Sequence, residues 1–133
     1  MRSLTILGFV ALAGCGGAPT APVGHEFVIA AGETTEISGT GLVITFVRVP
    51  EDSRCPMGAM CIWVGNAQVE LRTTLNGVPT TLALNTMTDP TAGSVAPYKI
   101  TLTGLAPIPS IGRPMPIPQK DYRATLVIGF LPD

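Results

Sequence analysis

Three cysteines, one histidine and a few carboxylates are the residues of this chain that could do chemistry. The densest group is the heptapeptide Cys55-Pro56-Met57-Gly58-Ala59-Met60-Cys61, followed by Ile62 and Trp63. Thiolate and thioether sulfur are soft ligands, so Cys55, Met57, Met60 and Cys61 form a candidate Cu(I) set if the thiols stay reduced. Oxidised, Cys55 and Cys61 would close a short loop instead, with Pro56 and Gly58 helping the chain turn. The chain-entropy account assigns such a bridge roughly 2 kcal/mol. Thiol–disulfide exchange is a poor fit, because redox pairs are usually Cys-X-X-Cys beside a helix start. A constrained, exposed loop of Pro56, Met57, Gly58, Ala59, Met60 and Trp63 could also dock into a partner or a protease cleft, since preorganisation lowers the entropy lost on binding.

Other groupings carry less. Glu51 and Asp52 are adjacent, so on an extended chain they point to opposite faces and make no acid/base dyad; an exposed pair of Asp52 with Arg54 or Arg123 would contribute about 0–1 kcal/mol. Asp89 stands alone in Asp89-Pro90-Thr91-Ala92-Gly93-Ser94, a surface turn rather than a calcium loop. Gly39-Thr40-Gly41 lacks the remaining glycines and the helix of a phosphate cradle. His25 reads as solvated. No metal site and no catalytic residue is assigned; the expectation is a protein that is not an enzyme and has no cofactor. The chain has 133 residues, a formal net charge of −1 and 13% charged residues. That balance argues against nucleic acid, which calls for clustered Lys and Arg.

The N-terminus sets the compartment. Arg2 precedes an apolar run, Leu4 to Ala13, of the length of a secretory h-region, too short to cross roughly 30 Å of hydrocarbon. Leu12-Ala13-Gly14-Cys15 resembles a bacterial lipobox. The resemblance implies a signal peptide over 1–14, a fatty-acylated (palmitate-type) Cys15, and a cell-envelope lipoprotein held by lipid. Gly16 in place of Asp after that cysteine implies the outer membrane. Two or three acyl chains would anchor durably where one binds marginally. With Cys15 acylated, only Cys55 and Cys61 remain, in an oxidising compartment, and a disulfide is expected. Residues 15–24, small and rich in Pro and Gly, read as a lipidated tether, and 25–133 as a single domain.

The elements that must position the cysteine loop are strands. Period-two alternation marks seven: Glu26–Ala30, Thr34–Ser38, Leu42–Val49, Gln68–Leu75, Val78–Leu84, Tyr98–Thr103 and Tyr122–Phe130. Asn76-Gly77 is a strong hairpin signal, as both positions tolerate positive φ. The fold class expected is all-β, an antiparallel sandwich (immunoglobulin-like or a partly open barrel). Trp63 should pack against the bridge or cap the core. The segment from Pro107 to Pro118, with five prolines in twelve positions, is expected to be extended and to cross from one sheet to the other.

The pattern Asp52-Ser53-Arg54-Cys55-Pro56, four residues, Cys61, then Trp63, Gly65 and Ala67 resembles a group of uncharacterised short bacterial lipoproteins. Leu105-Ala106-Pro107-Ile108-Pro109 and Asp121-Tyr122-Arg123 are similar too. The resemblance implies a small β-rich lipoprotein domain and assigns no activity or binding residue. Partners are therefore expected to be the membrane, through Cys15, and an unidentified envelope protein or ligand.

Overall fold

A computed structural model describes residues 19–132; Cys15 and the signal peptide expected at 1–14 lie outside the described residues. The chain forms two packed sheets. The five-stranded sheet has the order β1 (Thr20–Ala21), β3 (Thr34–Ile37), β4 (Leu42–Asp52), β5 (Ala67–Leu75), β6 (Val78–Asn85), and the four-stranded sheet the order β2 (Phe27–Ala30), β9 (Arg123–Phe130), β8 (Tyr98–Ala106), β7 (Ala92–Val95). All neighbours are antiparallel except β1 and β3. A single 3-10 turn at Gln119–Asp121 is the one helical element among the described residues. The all-β sandwich expected from the alternation is the fold.

Alternation decides the inner faces. Leu42, Ile44 and Phe46 of β4 and Val69, Leu71 and Thr73 of β5 are buried, and they meet Ile29, Ile100, Leu102, Ala124, Leu126 and Ile128 of the other sheet. In β4 the register shifts between Phe46 and Arg48, which turns Val49 inward after Phe46. A bulge reverses side-chain parity in this way, so Val49 does not share the face of Val43 as strict alternation requires. A second shift, between Leu102 and Gly104, brings Leu105 inward on β8. The Asn76-Gly77 turn forms as expected, with φ of 50° and 84°.

Three expectations are corrected. Thr20 and Ala21, placed in the tether by composition, pair in parallel with Glu36 and Ile37, and Ala21 is buried. Their small side chains cover the open edge of β3, whose backbone groups need partners; the ordered domain therefore begins before residue 25. Residues 92–94, read as part of a turn over 89–94, belong to β7, and Gly93 sits where any side chain would press on Leu82 of β6. The proline-rich segment does not cross between sheets. It joins β8 to β9, which are neighbours in one sheet, and it turns back on itself: Arg113 N–H donates to the Ser110 carbonyl at 3.2 Å, with Gly112 at a φ of 90°.

Candidate functional site

The long β4–β5 loop (53–66), the β6–β7 loop (86–91) and the β8–β9 segment (107–122) emerge at the same end of the sandwich. Cys55 and Cys61 are joined in a disulfide with a Cα–Cα distance of 5.9 Å. The loop and the proline-rich segment then bond each other. Met57 N–H donates to the Pro109 carbonyl at 2.7 Å and Ile111 N–H to the Met57 carbonyl at 3.0 Å, a parallel bridge between Met57 and Ser110. The foot of the loop is closed by Ser53 and Asn66: Ser53 N–H donates to the Asn66 carbonyl at 2.7 Å and Asn66 N–H to Ser53 Oγ at 3.1 Å. Gly65 faces the Ser53 carbonyl, and a Cβ there would collide with it.

Behind this frame lies a polar cluster, where composition and spacing had suggested only an exposed pair. The side chains of Arg54 and Asp52 are only 13% and 9% exposed. Arg54 Nε and Nη2 donate to the Asp52 carboxylate at 2.9 and 2.7 Å, the bidentate geometry that suits guanidinium to carboxylate. The same guanidinium donates from Nη1 to the Leu105 carbonyl at 2.7 Å and from Nη2 to the Pro107 carbonyl at 3.0 Å. Tyr122 OH donates to Asp52 Oδ2 at 2.8 Å. One ion pair thus ties the end of β4 to the end of β8 and the start of β9. Burial works against the Asp52 charge, but the bonds from Arg54 and Tyr122 outweigh it and hold the carboxyl below its ordinary value. Burial, together with the bond to that carboxylate, pushes the Tyr122 hydroxyl up to about 12.

Gln119 supplies the other clamp. Its amide accepts from Val49 N–H at 2.8 Å and donates to the Val49 carbonyl at 2.9 Å, so a side chain pairs the backbone of β4 beyond Thr34, where the antiparallel β3 begins. Asn66 performs a similar service towards the β6–β7 loop: Nδ2 donates to Asn85 Oδ1 at 3.0 Å, and Oδ1 accepts from Met87 N–H at 3.0 Å. Gln119 and Asn66 gave no sequence signal, because what they bond is far away along the chain.

On this frame the outermost side chains are apolar. Met60 is 101% exposed, Ile62 90%, Trp63 82% and Val64 72%. Trp63 therefore neither caps the core nor lies buried on the bridge, contrary to expectation: the short loop between Cys61 and the Ser53–Asn66 closure projects it outward. Met57, Met87, Ile108 and Ile111 extend the exposed apolar surface. Between Cys55, Val64, Met87, Gly104, Leu105 and Ile108 there is a cavity of about 340 Å³. Its one charged lining residue is Arg54, whose guanidinium is already bonded on both sides.

Of the residues singled out in the sequence, the structure brings together Cys55, Cys61, Pro56, Met57, Gly58, Ala59, Met60 and Trp63. Both cysteine sulfurs belong to the disulfide, so of the soft-ligand set only the thioethers of Met57 and Met60 are free to coordinate. No group of three or more His, Cys, Asp or Glu positioned to hold a metal occurs among the described residues. His25 is exposed, away from this end, in the turn that leads into β2. No protein-family model, curated protein or solved structure matches this chain.

Proposed function

We propose that the chain is a lipid-anchored cell-envelope lipoprotein of the outer membrane, held through an acylated Cys15, that works as a non-catalytic binding or structural module. Leu12-Ala13-Gly14-Cys15 and the residue after it supply the address, and a disulfide suits an oxidising compartment. The observation that carries the module reading is the presentation of Met60, Ile62, Trp63 and Val64, all strongly exposed, on a loop tied at both flanks. Large apolar side chains held in water at one place mark contact surfaces, and a prearranged loop loses little entropy on contact. The titratable groups of unusual affinity, Asp52 and Tyr122, are spent on each other and on Arg54, which supports a structural role for them. A docking loop for a protease or another envelope protein is the second reading, favoured by the disulfide constraint on 55–61. Copper binding at the same place would need the bridge reduced or the two thioethers to suffice.

The address is tested by labelling cells that express the full chain with an alkyne-tagged palmitate, followed by detergent phase separation. The wild type should carry label and enter the detergent phase, whereas Cys15→Ser should carry none and remain in the aqueous phase. Equal label and partitioning in both would overturn lipidation.

A further inference from the structure

We infer that the outer edge of β6 is a self-association edge, at which a second copy of this chain adds its own β6 antiparallel to the first. The two sides of the sandwich differ in how their edges are closed. On one side β1 and β2 have only two and four residues, β1 covers the free edge of β3, and the exposed carboxylates of Glu26 and Glu36 stand along the chain. Short strands and charges are the usual means of keeping an edge from pairing with another chain. On the other side β6 has eight residues, and no Asp, Glu, Lys or Arg occurs from Thr73 to Thr88. The backbone groups that face outward follow from the register. Leu75 and Val78 flank the two-residue turn as a bonded pair, and bonded pairs recur at every second residue after it. Thr80, Leu82 and Leu84 therefore bond β5, while Pro79, Thr81, Ala83 and Asn85 turn their backbone away from it. The Asn85 N–H is taken by the Pro90 carbonyl at 2.9 Å, and Pro79 has no N–H. That leaves Thr81 and Ala83, both exposed and with no outer neighbour among the described strands.

The spacing of these groups selects a second copy. Related by a two-fold axis at Leu82, two β6 strands place Thr81 of each opposite Ala83 of the other. Every free N–H and C=O of both residues is then bonded, as two pairs that each exchange both hydrogen bonds. Leu82 falls on the axis in the non-bonded position, where opposed side chains come closest. In the single chain it is only half-buried, packed against the core where Gly93 leaves room for it. Contact with Leu82 of the second copy completes its burial. Beyond this stretch the Pro90 segment stands beside Asn85, so the two strands diverge there, as twisted edge strands do. The charges also allow the contact. Arg72 is in register with Thr81 and Glu70 with Ala83, so the row that crosses the seam runs Arg72, Thr81, then Ala83 and Glu70 of the second copy, and no like charges meet.

The test is sedimentation equilibrium of the full chain with Cys15→Ser, in a mild nonionic detergent that covers the apolar run at 4–13. Two double variants of that parent are compared with it: Thr81→Lys with Ala83→Lys, and Thr81→Glu with Ala83→Glu. Both positions are exposed, so the unfolding midpoints should stay where they are. In this register each variant sets like charges directly opposite one another at both pairs, and the dimer dissociation constant should rise at least about tenfold for either. An equimolar mixture of the two variants sets opposite charges across the seam and should associate at least as tightly as the parent. A parent that is still monomeric at about 1 mM overturns the inference and leaves the edge to an extended segment of another protein. Double variants that associate as tightly as the parent overturn it too, and so does a mixture that fails to recover. None of these results depends on whether Cys15 is acylated.

Discussion

At one end of the sandwich β5 and β6 are joined by Asn76 and Gly77 alone, and the local backbone is sufficient to make the turn. Both residues take positive φ, and the ladder runs on without interruption from Leu75↔Val78 to Gln68↔Asn85. At the other end β4 and β5 are joined by residues 53–66 and β8 and β9 by residues 107–122, and the tight turns within them, such as Pro56–Ala59 and Ser110–Arg113, are too short to dictate the path of either connection. Order there comes from covalent and polar links: the local Cys55–Cys61 disulfide and Arg54–Asp52 pair, and the long-range Met57–Ser110 bridge, Arg54 guanidinium on the Leu105 and Pro107 carbonyls, and Gln119 amide on Val49. The contrast explains how a loop that exposes Met60, Ile62, Trp63 and Val64 can hold its shape. Apolar side chains at the tip contribute little to folding, so the frame behind them has to be held by polar and covalent links.

The largest effect that would break this contrast is at Arg54. Arg54→Ala leaves Asp52 buried without its partner and two carbonyls without a donor, and should cost about 3 kcal/mol in urea unfolding; a cost below about 0.5 kcal/mol, typical of a surface substitution, would mean that the cluster does not hold the loop end. The same cluster makes stability depend on pH in both directions. Asp52 titrates below its ordinary 3.8 in the folded chain, so its contribution is present above about pH 4 and is lost as pH falls through the lowered value. Tyr122 is raised from 10.0 to about 12, so its contribution is present below pH 10 and is lost as pH rises from 10 to about 12. Thermal midpoints of wild type and Tyr122→Phe measured across pH should therefore converge at both extremes.

Removing the bridge with Cys55→Ser and Cys61→Ser together should cost about 2 kcal/mol, the entropy of a short closed loop, while the midpoint of the sheet signal and that of a loop probe at Trp63 remain coincident if the other links suffice. Gly77→Ala forces a methyl group into left-handed backbone and should cost about 1 kcal/mol at the hairpin end, with no change in the exposure of Trp63 to acrylamide. The smallest effect belongs to the tip. Ile62→Ser should shift the unfolding free energy by no more than about 0.5 kcal/mol; a larger loss would show that the tip is packed in solution.

The hairpin end was readable in the sequence because its causes are local. Val69, Leu71 and Thr73 alternate, Asn76-Gly77 follows, and the structure uses each as expected. The all-β class was readable for the same reason, and the disulfide because Cys55 and Cys61 are the two cysteines left once Cys15 is set aside. The loop end was not, because the groups that define it meet from far along the chain: Arg54 bonds the carbonyls of Leu105 and Pro107, and Gln119 bonds Val49. No periodicity announces a side-chain amide that replaces a strand. Trp63 misled for a related reason, since a large aromatic beside a disulfide is usually core, and only the closure of Ser53 on Asn66 turns it outward. β1 was hidden by composition, for Thr20 and Ala21 look like tether until the free edge of β3 is in view.

Amide hydrogen exchange at Met57 and Ile111 tests most directly whether the loop end is a held frame. These two N–H groups bond the Pro109 and Met57 carbonyls, so with the disulfide intact they should exchange orders of magnitude more slowly than an unstructured chain, approaching the strand amides of β5 and β6, and should lose only part of that protection on reduction. Exchange of both at the unstructured rate while Cys55 and Cys61 remain joined would mean that no such frame exists.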